Sequence, residues 1–148
     1  MSERVFVDTN VLIYARDRRE EGKRERAASW LLSLGSASAA RINLQVINEL
    51  TNWILRNERH RPLNEVQEEL AVLRTWGAKP IADDEVEIAW AVRHHLGYQW
   101  FDCLLVASAH NDGCRYFLTE DMTHGATFDG LVLINPFRAS PDDVLRRN

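Results

Sequence analysis

Short apolar runs alternate with helical segments along this chain, and that alternation limits the fold more than any other feature. "RVFVD" (4–8), a stretch near Ala39–Ile42, "AKPIA" (78–82), "CRYFLTED" (114–121) and "LVLIN" (131–135) read as short strands, the third weakened by Pro80. They are mostly apolar throughout rather than alternating, as strands covered on both faces are. Between them, Ala27, Trp30, Leu31 and Leu34 fall at helical spacing before Gly35, and Val46, Ile47, Leu50, Trp53 and Ile54 form an apolar face behind Asn43, a good N-cap. Asn64 with Gln67 reads as a capping box, as does Asp84 with Glu87 for a helix ending before Gly97. "WFDCLLVASAHN" (100–111) is a strongly apolar helix ended by Gly113. The expected class is therefore α/β, a central, mostly parallel five-stranded sheet between two layers of helices. The functional crevice of such a sheet lies beyond the carboxyl ends of its strands.

The 148 residues suit one domain. We place its boundary at 1–138, with a polar tail at 139–148 that is either loose or docked as a short helix. Asp8 and Asn10 break the only early apolar run before it reaches the length of a secretory signal, and nothing approaches the roughly 20 apolar residues of a membrane span. Cys103 and Cys114 sit in apolar-patterned segments outside any C-x-x-C pair and read as reduced core residues, so the expectation is a cytoplasmic protein with no membrane partner.

Four carboxylates break their local patterns. Asp8 ends the first strand and Asp121 ends the fourth, which puts both at one rim of the sheet. Glu49 lies early on the helix after the second strand, and Asp102 interrupts an apolar face in the first turn of its helix. Each has an ordinary reading alone: Asp8 an N-cap, Asp102 an acid favoured by the helix dipole, Glu49 a solvated helix residue, Asp121 a turn residue. Converging on one crevice, they would repel and raise one another's pKa values unless a cation neutralised them. The donors are hard oxygens with no matching Cys or His set, which favours Mg²⁺ or Mn²⁺.

"VFVDTNVLIYA", "INLQVINEL", "WFDCLLVASA" and "FLTEDMTHG", in that order, resemble the four acidic motifs of the PIN domain, over roughly Val5 to Pro136. The "LTEDMTHG" ending and the short length are most similar to VapC-type toxins of bacterial toxin–antitoxin pairs. The resemblance implies a metal-dependent endoribonuclease acting as a toxin, restrained by a small antitoxin, and a homodimer. It implies that Asp8, Glu49, Asp102 and Asp121 hold one or two metal ions, Asp8 and Asp102 directly and Glu49 and Asp121 partly through water. It also implies that Thr9, Asn10 and Thr119 hydrogen-bond those carboxylates or their waters. Between Glu120 and Asp121, strand alternation favours Asp121 as the inward-facing acid.

A net charge of −4 argues against bulk attraction of polyanions and leaves RNA to a local basic rim. Arg16, Arg18, Arg19, Lys23 and Arg24 form the densest basic run, read either as a solvated helix face or as such a rim near the pocket's mouth, with Arg16 and Arg19 as the expected RNA contacts. The surface helices between Arg24 and Arg74, with Trp53 and Leu63 as exposed apolar residues, are expected to receive an antitoxin segment that reaches the pocket with a basic side chain. His94, His95, His110 and His124 lack metal-ligand spacing, and Trp100 and Met122 read as packing. The alternatives are a metal-dependent phosphohydrolase, which wants an Asp where Asn10 stands, and an inactive PIN-like RNA-binding module.

Overall fold

The computed structural model describes residues 3–145. Its strands are β1 (Val5–Val7), β2 (Ala40–Arg41), β3 (Tyr116–Leu118), β4 (Thr127–Phe128) and β5 (Leu131–Ile134). They form one sheet in the order β2-β1-β3-β5-β4. Every pairing is parallel except β4 with β5, and Val7 lies opposite Leu118 and Leu118 opposite Ile134. The helices are α1 (Thr9–Tyr14), α2 (Glu21–Ser36), α3 (Leu44–Asn57), α4 (Leu63–Leu73), α5 (Asp83–Leu96), α6 (Trp100–Asn111) and α7 (Pro141–Val144). The result is the expected α/β/α sandwich. Val5, Phe6, Val7, Phe117, Leu118 and Leu133 are fully enclosed at its centre, as strands covered on both faces must be. Phe6 stacks on Phe117 with ring centroids 5.3 Å apart.

Two anchors fix the helices. Trp30 is buried, and its indole N–H donates to the carbonyls of Pro136 (3.2 Å) and Ala139 (3.0 Å), tying α2 to the C-terminal segment. Asn43 caps α3 by accepting from Val46 N at 3.0 Å, and its amide donates to Ser108 Oγ on α6 at 2.9 Å.

Several expectations need correction. No strand forms at 78–82: Pro80 has no N–H to give, and Lys79 spends its carbonyl on Leu44 N at 2.9 Å. Gly77 turns the chain away at φ +135°, where a Cβ would meet the Ile42 carbonyl oxygen at 2.2 Å, so only glycine fits. The fifth strand is instead β4, joined to β5 by Asp129 (φ +46°) and Gly130 (φ +89°). Asp-Gly at such a turn is a strong hairpin signal. Neither capping box stands where it was placed. Pro62 precedes α4 with no side-chain cap, and α5 begins two residues early, with Glu85 Oε1 accepting from Ala82 N at 3.2 Å. The tail placed at 139–148 starts with a buried Ala139, and Ser140 caps α7. Its residues 146–148, like residues 1–2 of the proposed domain, lie outside the described residues.

Candidate active site

The parallel register brings the ends of β1 and β3 side by side, with Asp8 N donating to the Leu118 carbonyl at 3.0 Å. The residues that follow each strand therefore share one rim, as the sequence implied. A cleft of about 710 Å³ opens there, lined among others by Asp8, Thr9, Asn10, Glu49, Asp102 and Asp121. All four pattern-breaking carboxylates reach it.

Asp8 is buried, and its carboxylate works at the start of α1 as well as in the cleft. Oδ1 accepts from Thr9 N at 2.7 Å; Oδ2 accepts from Thr119 Oγ1 at 2.8 Å and from Asn10 Nδ2 at 3.4 Å. Burial pushes its pKa up to about 7, against the pull of those bonds and with help from the charges of Asp102 and Asp121. Asp102 is also raised, by burial first and then by Asp121 and Glu49, while a bond from Gln99 lowers it.

The three polar residues flanking the acids are joined to them. Thr9 Oγ1 donates to Glu49 Oε1 at 2.7 Å. Asn10 Nδ2 donates to Asp121 Oδ2 at 2.9 Å and reaches Thr119 Oγ1 at 3.4 Å. Thr119, itself buried, accepts from Asp121 N at 3.1 Å. Glu120 faces away from the cleft. It accepts from Tyr14 Oη at 2.7 Å and from Lys23 Nζ at 2.5 Å, and these partners outweigh burial to hold its pKa below the usual range. Tyr14 in turn packs edge-on against Phe137, and Lys23 lies 4.7 Å from the Tyr14 ring centroid.

Among the described residues, none of the four cleft acids forms an ion pair. An all-oxygen donor set with a buried, uncompensated acid suits a hard divalent cation. As placed, no three Asp, Glu, His or Cys side chains among the described residues stand close enough to grip one ion. Glu49 is held by the bond from Thr9 and Asp121 by the bond from Asn10.

The basic run from Arg16 to Arg24 is largely committed to ion pairs. Arg16 is half-buried and bridges Glu58 (2.7 Å) and Glu69 (2.6 Å), with both carboxylates accepting two bonds from its guanidinium. Arg19 folds back on Asp17 at 2.9 Å, and Arg24 pairs with Glu21. Arg16 and Arg19 do not line the cleft; Arg56 and Arg59 do, with Asn52, Trp53, Gln99 and Phe101. Glu49, Asn52, Trp53 and Arg56 fall at i, i+3, i+4 and i+7, one face of α3, a stripe whose spacing is legible in the sequence. The histidines stay outside the cleft: His110 Nε2 meets Asp129 at 2.8 Å, and His124 Nδ1 accepts from Asn135 N at 2.9 Å.

Comparison with curated protein sequences finds no significant match. Solved structures do align. A toxin–antitoxin complex from Klebsiella pneumoniae matches with TM-score 0.58 and 19% identity, over 89% of this chain and 97% of that one. VapBC2 from Rickettsia felis, bound to a DNA fragment from its promoter, gives 0.59 and 15%, over 87% and 96%. Mycobacterium tuberculosis VapC20, a sarcin–ricin loop cleaving toxin, gives 0.50 and 20%, over 76% and 86%. At these identities the likeness is one of fold. The family model of the PIN domain matches residues 5–124, which takes in all four cleft carboxylates, and the chain belongs to the PIN domain family.

Proposed function

We propose that the chain is a Mg²⁺- or Mn²⁺-dependent endoribonuclease and the toxin of a toxin–antitoxin pair. The observation that carries this reading is the cleft lined by Asp8, Glu49, Asp102 and Asp121, none of which has an ion-pair partner among the described residues. Asp8 and Asp102 would hold the ion directly, and Glu49 and Asp121 would do so partly through water. The ion would supply a Lewis acid that favours hydrolysis of a phosphodiester by water. Thr119 and Asn10 fix the orientation of Asp8 and Asp121, and Thr9 fixes that of Glu49. The toxin role draws on the fold neighbours, a toxin–antitoxin complex, VapBC2 and a sarcin–ricin loop cleaving toxin. By the same likeness we infer a separate small antitoxin, a homodimer and a cytoplasmic setting. Among the described residues no helix is long and apolar enough to cross a membrane.

The test is cleavage of mixed single-stranded RNA by the purified chain with Mg²⁺ or Mn²⁺, with EDTA, and with Asp8→Asn. Cleavage that needs the ion and Asp8 supports the reading, whereas cleavage that survives EDTA overturns it. A neighbouring reading frame whose product copurifies with the chain and suppresses cleavage would supply the antitoxin.

A further inference from the structure

We propose that the cleft runs on from its acidic centre into a subsite for one single-stranded nucleotide, where Phe101 and Trp53 stack an unpaired base and Arg56 and Arg59 hold the backbone phosphate; this rests on the nuclease reading above.

The stripe on α3 orders these groups. Glu49 and Arg56 are seven residues apart on one face, so at 1.5 Å per residue the basic end lies about 10 Å along the helix from the acidic end. Trp53 falls between them. From the other wall comes Phe101, beside Asp102 in the first turn of α6. The rest of that helix from Cys103 to Ala109 is buried, but Phe101 is 56% exposed inside the cleft. A scattered exposed aromatic needs no explanation. One that lines a polar cleft next to an acidic centre, a cleft that two arginines also line, presents its ring where a ligand can reach it.

The arginines are available. Nearby acids are already taken: Glu58 and Glu69 bind Arg16 and Arg61, and Glu65 binds Arg61. Among the described residues, Arg56 and Arg59 have no carboxylate partner. Arg59 Nε donates to the Arg56 carbonyl at 3.2 Å, which holds the two together at the end of α3. Placement near a helix C-terminus explains a basic residue there through the dipole, but not why both face the cleft. Cations interleaved with aromatics are how proteins hold single-stranded nucleic acid. In a net acidic protein, these two supply positive charge where a polyanion must approach four carboxylates.

The experiment is fluorescence anisotropy of a labelled eight-nucleotide single-stranded RNA of mixed sequence, with the full chain in EDTA so that nothing is cleaved. Phe101→Ala should weaken binding roughly tenfold or more with an unchanged salt slope, and Phe101→Tyr should restore it. Arg56→Gln with Arg59→Gln should lower the slope of log affinity against log salt by about 0.7, the single-strand value for the one phosphate the two arginines share. An RNA with abasic positions should abolish the difference between Phe101→Ala and the natural chain. The proposal is overturned if the natural chain does not bind, if Phe101→Ala binds RNA as tightly as the natural chain, or if these substitutions weaken antitoxin binding alone. Effects of the predicted size from a chain that cleaves no RNA with Mg²⁺ or Mn²⁺ would uphold the subsite and sink the nuclease reading. Cleavage with unaltered binding in the variants would do the reverse.

Discussion

Asn10 Nδ2 donates to Asp121 Oδ2 at 2.9 Å, across 111 residues of chain, and so ties the start of α1 to the turn after β3. The same amide nitrogen reaches Asp8 and Thr119, each at 3.4 Å, and Glu120 N reaches the amide oxygen at the same distance. One side chain thus sets the spacing of two acids that repel. Asn10→Ala should leave both acids present but free to separate. Cleavage should fall about 10- to 100-fold, as when a partner that orients a ligand is lost. Stability should change by only about 1 kcal/mol. Parallel measurement of turnover and of thermal unfolding checks this; equal turnover would show that the amide orients nothing.

Asp8 gives the pH dependence. Its pKa is about 7 in the fold against 3.8 as the ordinary value. Between these values the folded chain binds the proton that the unfolded chain has released. Stability of the metal-free chain should therefore be highest below about pH 4 for this group and fall as pH rises to 7, by on the order of 4 kcal/mol at most. Asp8→Asn should remove that slope and leave the metal-free protein more stable at pH 7.5. Mg²⁺ or Mn²⁺ should raise the melting temperature of the natural chain at pH 7.5 and not that of the variant. Unfolding curves at pH 5 and 7.5, with EDTA and with metal, decide it; a natural chain that gains stability across this window would refute the assignment to Asp8.

Much of the site was legible because its residues violate local rules. A carboxylate, a hydroxyl and an amide at the end of a buried strand have no packing reason to be there. Asp102 on the apolar helix at 100–111 has none either. That Arg16 and Arg19 do not line the cleft was not legible, because their ion pairs with Glu58, Glu69 and Asp17 are settled by side-chain placement and not by nearness to Asp8 in sequence. Periodicity showed the alternation of strands and helices but could not separate an extended loop at 78–82 from a strand. That distinction rests on which groups bond the backbone of the segment, here Leu44 N on α3, which donates to the Lys79 carbonyl. Two-residue strands such as β4 carry too little periodicity to register, and only the Asp129–Gly130 turn announces one.

Glu120 and Asp121 should separate cleanly by function. Glu120 belongs to Tyr14 and Lys23, and Asp121 to Asn10 and the cleft. Asp121→Asn should reduce cleavage at least tenfold with little change in folding. Glu120→Gln should retain cleavage and lose only the ion pair to Lys23, worth under about 1 kcal/mol at this exposure. That contribution is present at neutral pH and fades as pH falls through the lowered pKa of Glu120. Turnover of the two single variants is the measurement, and loss of activity in Glu120→Gln would reassign the inward-facing acid.

Arg16 should behave as a structural residue. Its side chain is 19% exposed and holds Glu58 at the end of α3 and Glu69 on α4, which also share Arg61. Arg16→Met keeps the apolar stem but leaves two carboxylates facing each other with one cation fewer, so stability should drop by about 1–3 kcal/mol. RNA affinity and its salt slope should be unchanged, because the guanidinium is committed to protein acids and does not line the cleft. Arg19, 71% exposed and paired with Asp17 alone among the described residues, should tolerate Arg19→Gln without effect on folding or RNA binding. Anisotropy with single-stranded RNA across a salt series, beside urea unfolding of each variant, tests both. A lower salt slope for Arg16→Met or Arg19→Gln, with stability intact, would return the phosphate-gripping role to the α1–α2 segment and remove it from the end of α3.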